Sequence, residues 1–313
     1  MTATATPTSP PPPRPTIGIV GIGAMGLPIA RNLHRRGYPV VVRDLRADAE
    51  HEAHAAGMGV CASPCELAQR ADIAVVVVVD SAQIDVVLFG DGGIAAQPAP
   101  PRRARTVMLC STIAPHDTAA FAQRLGALGI AAIDAPISGG PARALDGTMS
   151  MMLAAPAATL APWRSLLADM AAKRFEVSGT IGDAAKAKLV NNLVAGINLV
   201  AGAEALALAE ALALAERLGL DARRMAEIIG ASSGASWIFE DRMTRALRDD
   251  FEPRAAARIL TKDVGLATAL AASVRQPTPL ADAALARFRE TVERGWAELD
   301  DAAVIKTYRT PRP

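Results

Sequence analysis

Cysteine is scarce in this 313-residue chain: Cys61, Cys65 and Cys110 are an odd number, and the two that lie close together lack the second pair a zinc site needs. A disulfide framework is excluded, and reduced thiols in a cytosolic protein are the expectation. Charge of one sign is not in excess either, with 33 Lys and Arg against 32 Asp and Glu and a net charge of +1. Neither nucleic acid nor membrane is expected as a partner. Histidine occurs only 4 times, at His34, His51, His54 and His116, always on an expected helix or its start and never at the C-terminal end of an expected strand. None is assigned as catalytic, and no metal site is expected. The opening segment 1–15, rich in Thr, Ala and Pro, lacks the apolar core of a signal peptide and reads as a disordered tail. The most apolar stretch, 189–214, is interrupted by Asn191, Asn192, Asn198, Glu204 and Glu210, which argues for a helix buried between domains and against a membrane span.

What the chain does have is a strand, a glycine turn and a helix in immediate succession. Residues 16–20, Thr-Ile-Gly-Ile-Val, read as a short buried strand running into Gly-Ile-Gly-Ala-Met-Gly at 21–26 and a helix over 27–36. Such a turn uses Gly21 for tightness, Gly23 to let backbone approach a pyrophosphate, and Gly26 for close packing of helix on strand, with the helix N-terminus facing the phosphate charge. Met25 lies inside the turn and is counted with the cofactor-binding residues. A second strand over 40–44 ends on Asp44, about 20 residues on, where a carboxylate accepts hydrogen bonds from the adenosine ribose and repels a 2′-phosphate. NAD is therefore favoured over NADP. Arg43 and Arg46 flank Asp44, and a guanidinium there either holds a phosphate or stands in solvent, so dual use stays open.

Alternation continues with a strand at 59–61, a helix at 64–70 and an unbroken β-branched run at 73–79, the mark of a strand covered on both faces. Val79 and the following Asp80-Ser81 stand at its C-terminal end, where ligands collect in parallel sheets. After a helix over 82–89 and a strand over 106–109 comes Thr112, whose hydroxyl either touches the cofactor or caps the helix starting at Pro115. A strand over 130–135 delivers Pro136-Ile-Ser138-Gly139-Gly140-Pro141. Two glycines after a serine expose backbone N–H groups beside a hydroxyl, which suits a small carboxylate; the alternative is a plain turn. A strand region at 147–153, a helix at 160–171 and a closing strand at 174–177 follow.

From there the pattern is helical. A Pro-free helix is expected over 181–218, ending at Gly219. Lys188 and Asn192 are four apart and share one of its faces, with Asn191 at the border. A helix this long crosses from one domain into the next, and a lysine at the crossing faces a cleft. Further helices are expected at 221–230, with Asp221 as N-cap, and at 235–249, 254–274 and 279–295. In the third, Lys262-Asp263 reads by itself as a surface ion pair. Trp237 and Phe239, two apart, cannot share a helix face, so one of them is expected to pack between domains. The expected organisation is a tail over 1–15, a dinucleotide-binding domain of Rossmann type with a doubly wound parallel sheet over 16–178, and an all-helical substrate and oligomerisation domain over 179–313, joined by the long helix.

Four blocks, at 18–26, 134–141, 182–192 and 262–267, agree in order and spacing with one family: the chain resembles the β-hydroxyacid dehydrogenases, the group of 3-hydroxyisobutyrate dehydrogenase and tartronate semialdehyde reductase. The resemblance runs from about Thr16 to the last helices, and the set is specific where a single block is not. It implies that Lys188 is the catalytic lysine, that Asn192 helps hold the substrate, and that Ser138, Gly139 and Gly140 bind its carboxylate. Thr112 and Lys262 match positions near the nicotinamide. Only Lys188, not Lys186, has the Leu-Val-Asn-Asn continuation that fixes the register. The reaction implied is hydride transfer between NAD(P) and a short 3-hydroxy acid or its semialdehyde. Homodimers or homotetramers are expected from the apolar helical part. The rival readings are an imine or ketone reductase on the same scaffold, whose members usually lack this lysine, a decarboxylating enzyme of the 6-phosphogluconate type, and a nucleotide-binding module without catalysis.

Overall fold

A computed structural model describes residues 14–96, 101–207, 241–242, 244–246 and 248–309. Strands β1 (Ile17–Val20), β2 (Val40–Arg43), β3 (Gly59–Val60), β4 (Ile73–Val76), β5 (Thr106–Leu109) and β6 (Ala131–Asp134) pair in parallel in the order β3-β2-β1-β4-β5-β6. Their residues are almost all buried aliphatics because helices cover both faces. Helices α1 (Gly26–Arg35) and α2 (Ala47–Ala55) pack on one face, and α3 (Pro64–Arg70), α4 (Ser81–Phe89) and α5 (Pro115–Ala127) on the other. This is the expected doubly wound α/β sheet. The chain runs outward from β1 in one direction through β2 and β3, then restarts at β4 on the other side of β1. The switch point of the sheet therefore lies at the carboxyl ends of β1 and β4, where ligands bind in such folds.

Several local expectations are corrected. The apolar run at 73–79 is strand only as far as Val76, because its neighbours β1 and β5 end at Val20 and Leu109 and give the longer run no ladder to join. Val79 instead donates its N–H to Gln83 Oε1 at 3.0 Å, and Asp80 caps α4 by accepting from Gln83 N at 2.8 Å. Past β6 the sheet stops being purely parallel. The short β7 (Ile137–Ser138) precedes α6 (Gly140–Asp146), a helix not foreseen, and β8 (Ser150–Ala154) runs antiparallel to β6 and β7. The expected helix at 160–171 is divided into α7 (Ala157–Leu160), a 3-10 turn (Ala161–Trp163) and α8 (Arg164–Met170), before the edge strand β9 (Lys173–Ser178) pairs with β8.

Helix α9 (Asp183–Ala207) leaves the sheet and enters the helical part, where α10 (Ala257–Ser273) and α11 (Pro279–Thr291) pack against it. Leu199, Leu260, Val264, Leu285 and Phe288 form the core there. Closeness of α9 to α10 depends on Gly196, where an added Cβ would lie 2.5 Å from Val264 Cγ2. Beyond α11 come a π-like turn (Val292–Trp296), a 3-10 turn (Asp301–Ile305) and a short helix (Lys306–Arg309); the 3-10 turn is held by a buried ion cluster in which Arg242 reaches Asp301 at 2.7 Å and Arg245 reaches Asp300 at 3.2 Å. The expected end of the long helix at Gly219, the cap at Asp221, and Trp237 and Phe239 lie outside the described residues. Among the described residues no helix is long and apolar enough to cross a membrane.

Candidate active site

The glycine turn is built by backbone contacts at the switch point. Gly26 begins α1 so close to the turn that a Cβ would stand 1.9 Å from the Gly21 carbonyl oxygen, and Gly21 itself has φ +88° with the backbone of Val77 beside it. Neither position admits another residue without moving the turn. At Gly23 an added Cβ meets nothing nearer than Arg46 Nη2 at 3.9 Å, so open space lies where a pyrophosphate must approach. Met25 is the N-cap of α1 and supplies no side-chain cap; in the first turn Leu27 N–H goes to the Gly23 carbonyl oxygen at 3.2 Å and Pro28 has no N–H. Asp44 faces this turn with both oxygens in use: Oδ2 accepts from Ile22 N at 2.8 Å and Oδ1 from Arg46 N at 2.9 Å. The carboxylate thus holds the turn in place; Oδ1 is also ion-paired with Arg46 Nε at 3.5 Å, and Oδ2 keeps a lone pair for a further donor. Arg43 is committed to Glu50 at 2.8 Å, while Leu45 is 93% exposed beside Asp44. These residues fit a bound dinucleotide.

Ser138 ends β7, partly buried, and Gly139 and Gly140 follow at φ +133° and +76°. Such successive positive φ angles turn the backbone back on itself and favour glycine strongly. The loop is anchored on β8 by the Ser138–Ser150 pairing. Thr112 does not cap α5: the N-cap is Ala114, with no side-chain cap. Its carbonyl oxygen instead accepts from Lys262 Nζ at 2.6 Å, which ties the end of β5 to α10 across the two halves of the chain.

Along α9, residues Ala185, Lys188, Leu189, Asn192 and Leu199 form the buried stripe, while Lys186, Val190 and Val194 point outward. Lys188 is only 7% exposed and Asn192 only 6%, so the two polar groups lie within the packed side of the helix. Asn192 Nδ2 donates to Asp263 Oδ2 at 2.7 Å, and Asn191, itself exposed, donates to Asn192 Oδ1 at 3.1 Å. Lys262 Nζ stands 2.8 Å from Asp263 Oδ1. Burial lowers the pKa of Lys188 to about 8; Asp263 resists that fall and Lys262 assists it. Lys186 is turned away to Asp183 at 2.7 Å, as the register requires.

Two residues of this arrangement carry no local mark in the sequence. Asp263, which reads there as half of a surface pair, is 5% exposed and orients Asn192. Asp134, the last residue of β6, is 2% exposed and accepts from the backbone of Gly182 and Ala185 at the start of α9. Both lie within the family-like blocks, and that is the only sequence signal for them.

A dinucleotide turn at the switch point of a parallel sheet, together with a buried lysine–asparagine pair on a helix that runs into a helical C-terminal part, defines a nicotinamide-dependent oxidoreductase. Residues 16–182 match the family model of the NAD binding domain of 6-phosphogluconate dehydrogenase, and residues 182–308 that of the NAD-binding domain of NADP-dependent 3-hydroxyisobutyrate dehydrogenase. The chain belongs to the β-hydroxyacid dehydrogenase family. It is 37% identical to an L-threonate dehydrogenase of Cupriavidus necator over 93% of this chain and 95% of that one, and 33% identical to an NAD-dependent L-serine dehydrogenase of Pseudomonas aeruginosa over 93% and 97%. A crystal structure of 3-hydroxyisobutyrate dehydrogenase from Salmonella typhimurium superposes with a TM-score of 0.82 at 36% identity, covering 93% of this chain and 99% of that one. Imine reductases of the same fold are 18%, 19% and 20% identical, which carries the fold and not the activity.

Proposed function

We propose that this protein is an NAD(P)-dependent dehydrogenase moving a hydride between the nicotinamide and the carbinol carbon of a short 3-hydroxy acid, or the aldehyde carbon of its semialdehyde. The observation that carries this reading is Lys188, buried on α9 one turn from Asn192, with its pKa lowered to about 8. Near pH 8 such a lysine divides between amine and ammonium, as a group that both takes and returns a proton must. When bound, the nicotinamide supplies the hydride acceptor or donor. Lys188 as the amine takes the hydroxyl proton during oxidation, and as the ammonium returns it during reduction. Ser138 Oγ and the backbone N–H groups of Gly139 and Gly140 hold the substrate carboxylate, and Asn192, fixed by Asp263, holds the substrate beside Lys188. Fixing the carboxylate at one end and the hydroxyl at the other confines the reacting carbon, a contribution that exceeds proton transfer alone when alignment is good.

Gly21, Gly23, Met25 and Gly26 would hold the pyrophosphate, Asp44 the adenosine ribose, and Val79, Thr112 and Lys262 the nicotinamide end. NAD is favoured over NADP, because Arg43 is neutralised by Glu50 and Arg46, the other cation beside Asp44, is itself ion-paired to that carboxylate at 3.5 Å and reaches the Ile22 carbonyl oxygen at 3.3 Å. The names of the relatives point both ways, NAD-dependent for the Pseudomonas aeruginosa enzyme and NADP-dependent for the family model matched by residues 182–308, so the preference rests on Asp44 and its neighbours. A division at 178/179, with cofactor on one side and substrate and assembly on the other, is supported by two family models that meet at residue 182. A homodimer or homotetramer in the cytosol completes the reading, supported by three free cysteines and by Val190 and Val194, 62% and 51% exposed on α9.

The test is reduction of NAD+ and of NADP+ by the purified protein against 3-hydroxyisobutyrate, threonate, serine, glycerate and 3-hydroxypropionate, with matched uncharged alcohols. Turnover confined to the carboxylated compounds, and faster with NAD+, is the expected result. Turnover of uncharged alcohols as fast as of acids would remove the carboxylate site, and NADPH-dependent reduction of imines in place of acid oxidation would replace the reading altogether.

A further inference from the structure

Asp134 is a buried carboxylate that joins the strand leading into the Ser138 loop to the helix that carries Lys188. It ends β6 four residues before Ser138, and Pro136 between them stiffens the connection. Its Oδ2 accepts from Gly182 N at 2.8 Å and from Ala185 N at 3.1 Å, and the N–H of Ala184 also bears on the carboxylate. Those donors are the open N-terminal end of α9, and Ala185 is three residues, less than one turn, before Lys188. Gly182 has φ +100° and a Cβ there would stand 3.0 Å from the Pro115 carbonyl oxygen, so the chain enters α9 through a fixed, crowded bend. Ile181, just before it, packs against the cores on both faces of the sheet.

We infer that Asp134 is a positioning residue for the reaction: by holding the first turn of α9 against the end of β6, it sets the distance between the Ser138-Gly139-Gly140 loop and Lys188. The inference rests on the reading given under Proposed function. A carboxylate is a costly choice here if only packing is at stake. Burial pushes Asp134 up to about 6 against the pull of the helix N–H groups, with Cys110, just past β5, and Asp183 on α9 as its titratable neighbours. What a carboxylate supplies that an apolar side chain does not is an oxygen able to take two N–H groups from one helix end. Displacing a reacting group by about 1 Å costs on the order of 100-fold in rate.

The test compares the full-length protein with Asp134→Ala and Asp134→Asn. The asparagine keeps one oxygen able to accept both hydrogen bonds, whereas alanine keeps none. The readouts are the steady-state constants for the hydroxy acid, the dissociation constant of NAD+, and hydrogen exchange of the peptide covering 180–188. For Asp134→Ala the expected result is faster exchange at 180–188 and catalytic efficiency lower by about 30-fold or more, carried mainly by kcat and not by KM. Its NAD+ dissociation constant is expected to stay within about twofold of the parent, because the glycine turn is not touched. Asp134→Asn is expected to restore slow exchange and turnover to within about threefold. An alanine variant with faster exchange and unchanged turnover would overturn the inference and leave the dehydrogenase reading standing. If the alanine variant does not fold, the asparagine variant decides. Slow exchange with turnover kept supports the positioning role, and slow exchange with turnover lost overturns it by making the charge responsible. A parent protein without turnover on any acid removes the functional reading and this inference with it, a result distinct from either variant failing.

Discussion

Lys188 carries the proposed chemistry, and the burial that suits it to that role has a cost in stability. Its pKa is lowered to about 8 mainly by desolvation, so the folded protein disfavours the ammonium that an unfolded chain carries freely. The penalty is complete below about pH 8 and is relieved as pH rises toward the ordinary lysine value of about 10.4, above which the folded and unfolded states are both neutral. Lys188→Met is therefore expected to melt a few degrees higher than the parent at pH 7, to lose most of that advantage near pH 10, and to turn over at least about 100-fold more slowly. Differential scanning calorimetry at the two pH values checks the first part; a variant less stable than the parent at pH 7 would mean that the lysine is held by contacts stronger than its desolvation. At this scale the sequence is legible where partners are neighbours. Lys188 and Asn192 are four apart in an otherwise apolar helix and can be read as a pair. Asp263 and Asp134 cannot, because their partners are 71 and 48 residues away, and nothing local distinguishes a buried acid from a surface one.

Among the elements, the glycine turn separates two uses of one residue type. Gly26 is required by the fold, since a Cβ would sit 1.9 Å from backbone, whereas Gly23 faces open space. Gly26→Ala is expected to destabilise the β1–α1 unit by about 2 kcal/mol or more, the overpacking cost of a side chain set against backbone. Gly23→Ala should leave the melting temperature within about 2 °C of the parent while weakening NAD+ roughly tenfold or more by filling the space the phosphate needs. Calorimetry together with titration of tryptophan fluorescence by NAD+ separates the two. Equal losses of affinity and stability in both variants would refute the distinction. Elements that follow one rule are readable in the sequence: buried β-branched strands, helices between Pro or Ser starts and Gly ends. The region after β6 is not. There two short strands, β7 and the antiparallel β8, frame a seven-residue helix, and the strands are fixed by pairing and not by their own composition. The same reason shortens β4 to Val76, since strand ends are set by neighbouring strands as much as by side chains.

The whole molecule brings a dinucleotide turn on the sheet and a lysine on the helical side into one chain through α9. Lys262 on α10 reaches the Thr112 carbonyl oxygen at the end of β5, and Asp134 on β6 reaches the start of α9, so two polar links cross between the halves. The outward stripe of α9, with Val190 and Val194 exposed, is expected to be covered by a second copy. Light scattering should then give a mass two or four times 32.5 kDa, and a Val190→Glu, Val194→Glu double variant should fall toward the monomer. A parent that is monomeric at micromolar concentration would contradict that expectation and leave the chemistry untouched. The chemistry stands or falls on the pH dependence of kcat for hydroxy-acid oxidation by NAD+ in the parent and in Lys188→Ala. The parent's kcat is predicted to rise through a limb near pH 8 to a plateau, because only the neutral amine takes the proton, and the variant to be slower by about 100-fold or more with no such limb, at unchanged affinity for NAD+. A variant that keeps most of the turnover, or the same limb, would contradict the role of Lys188.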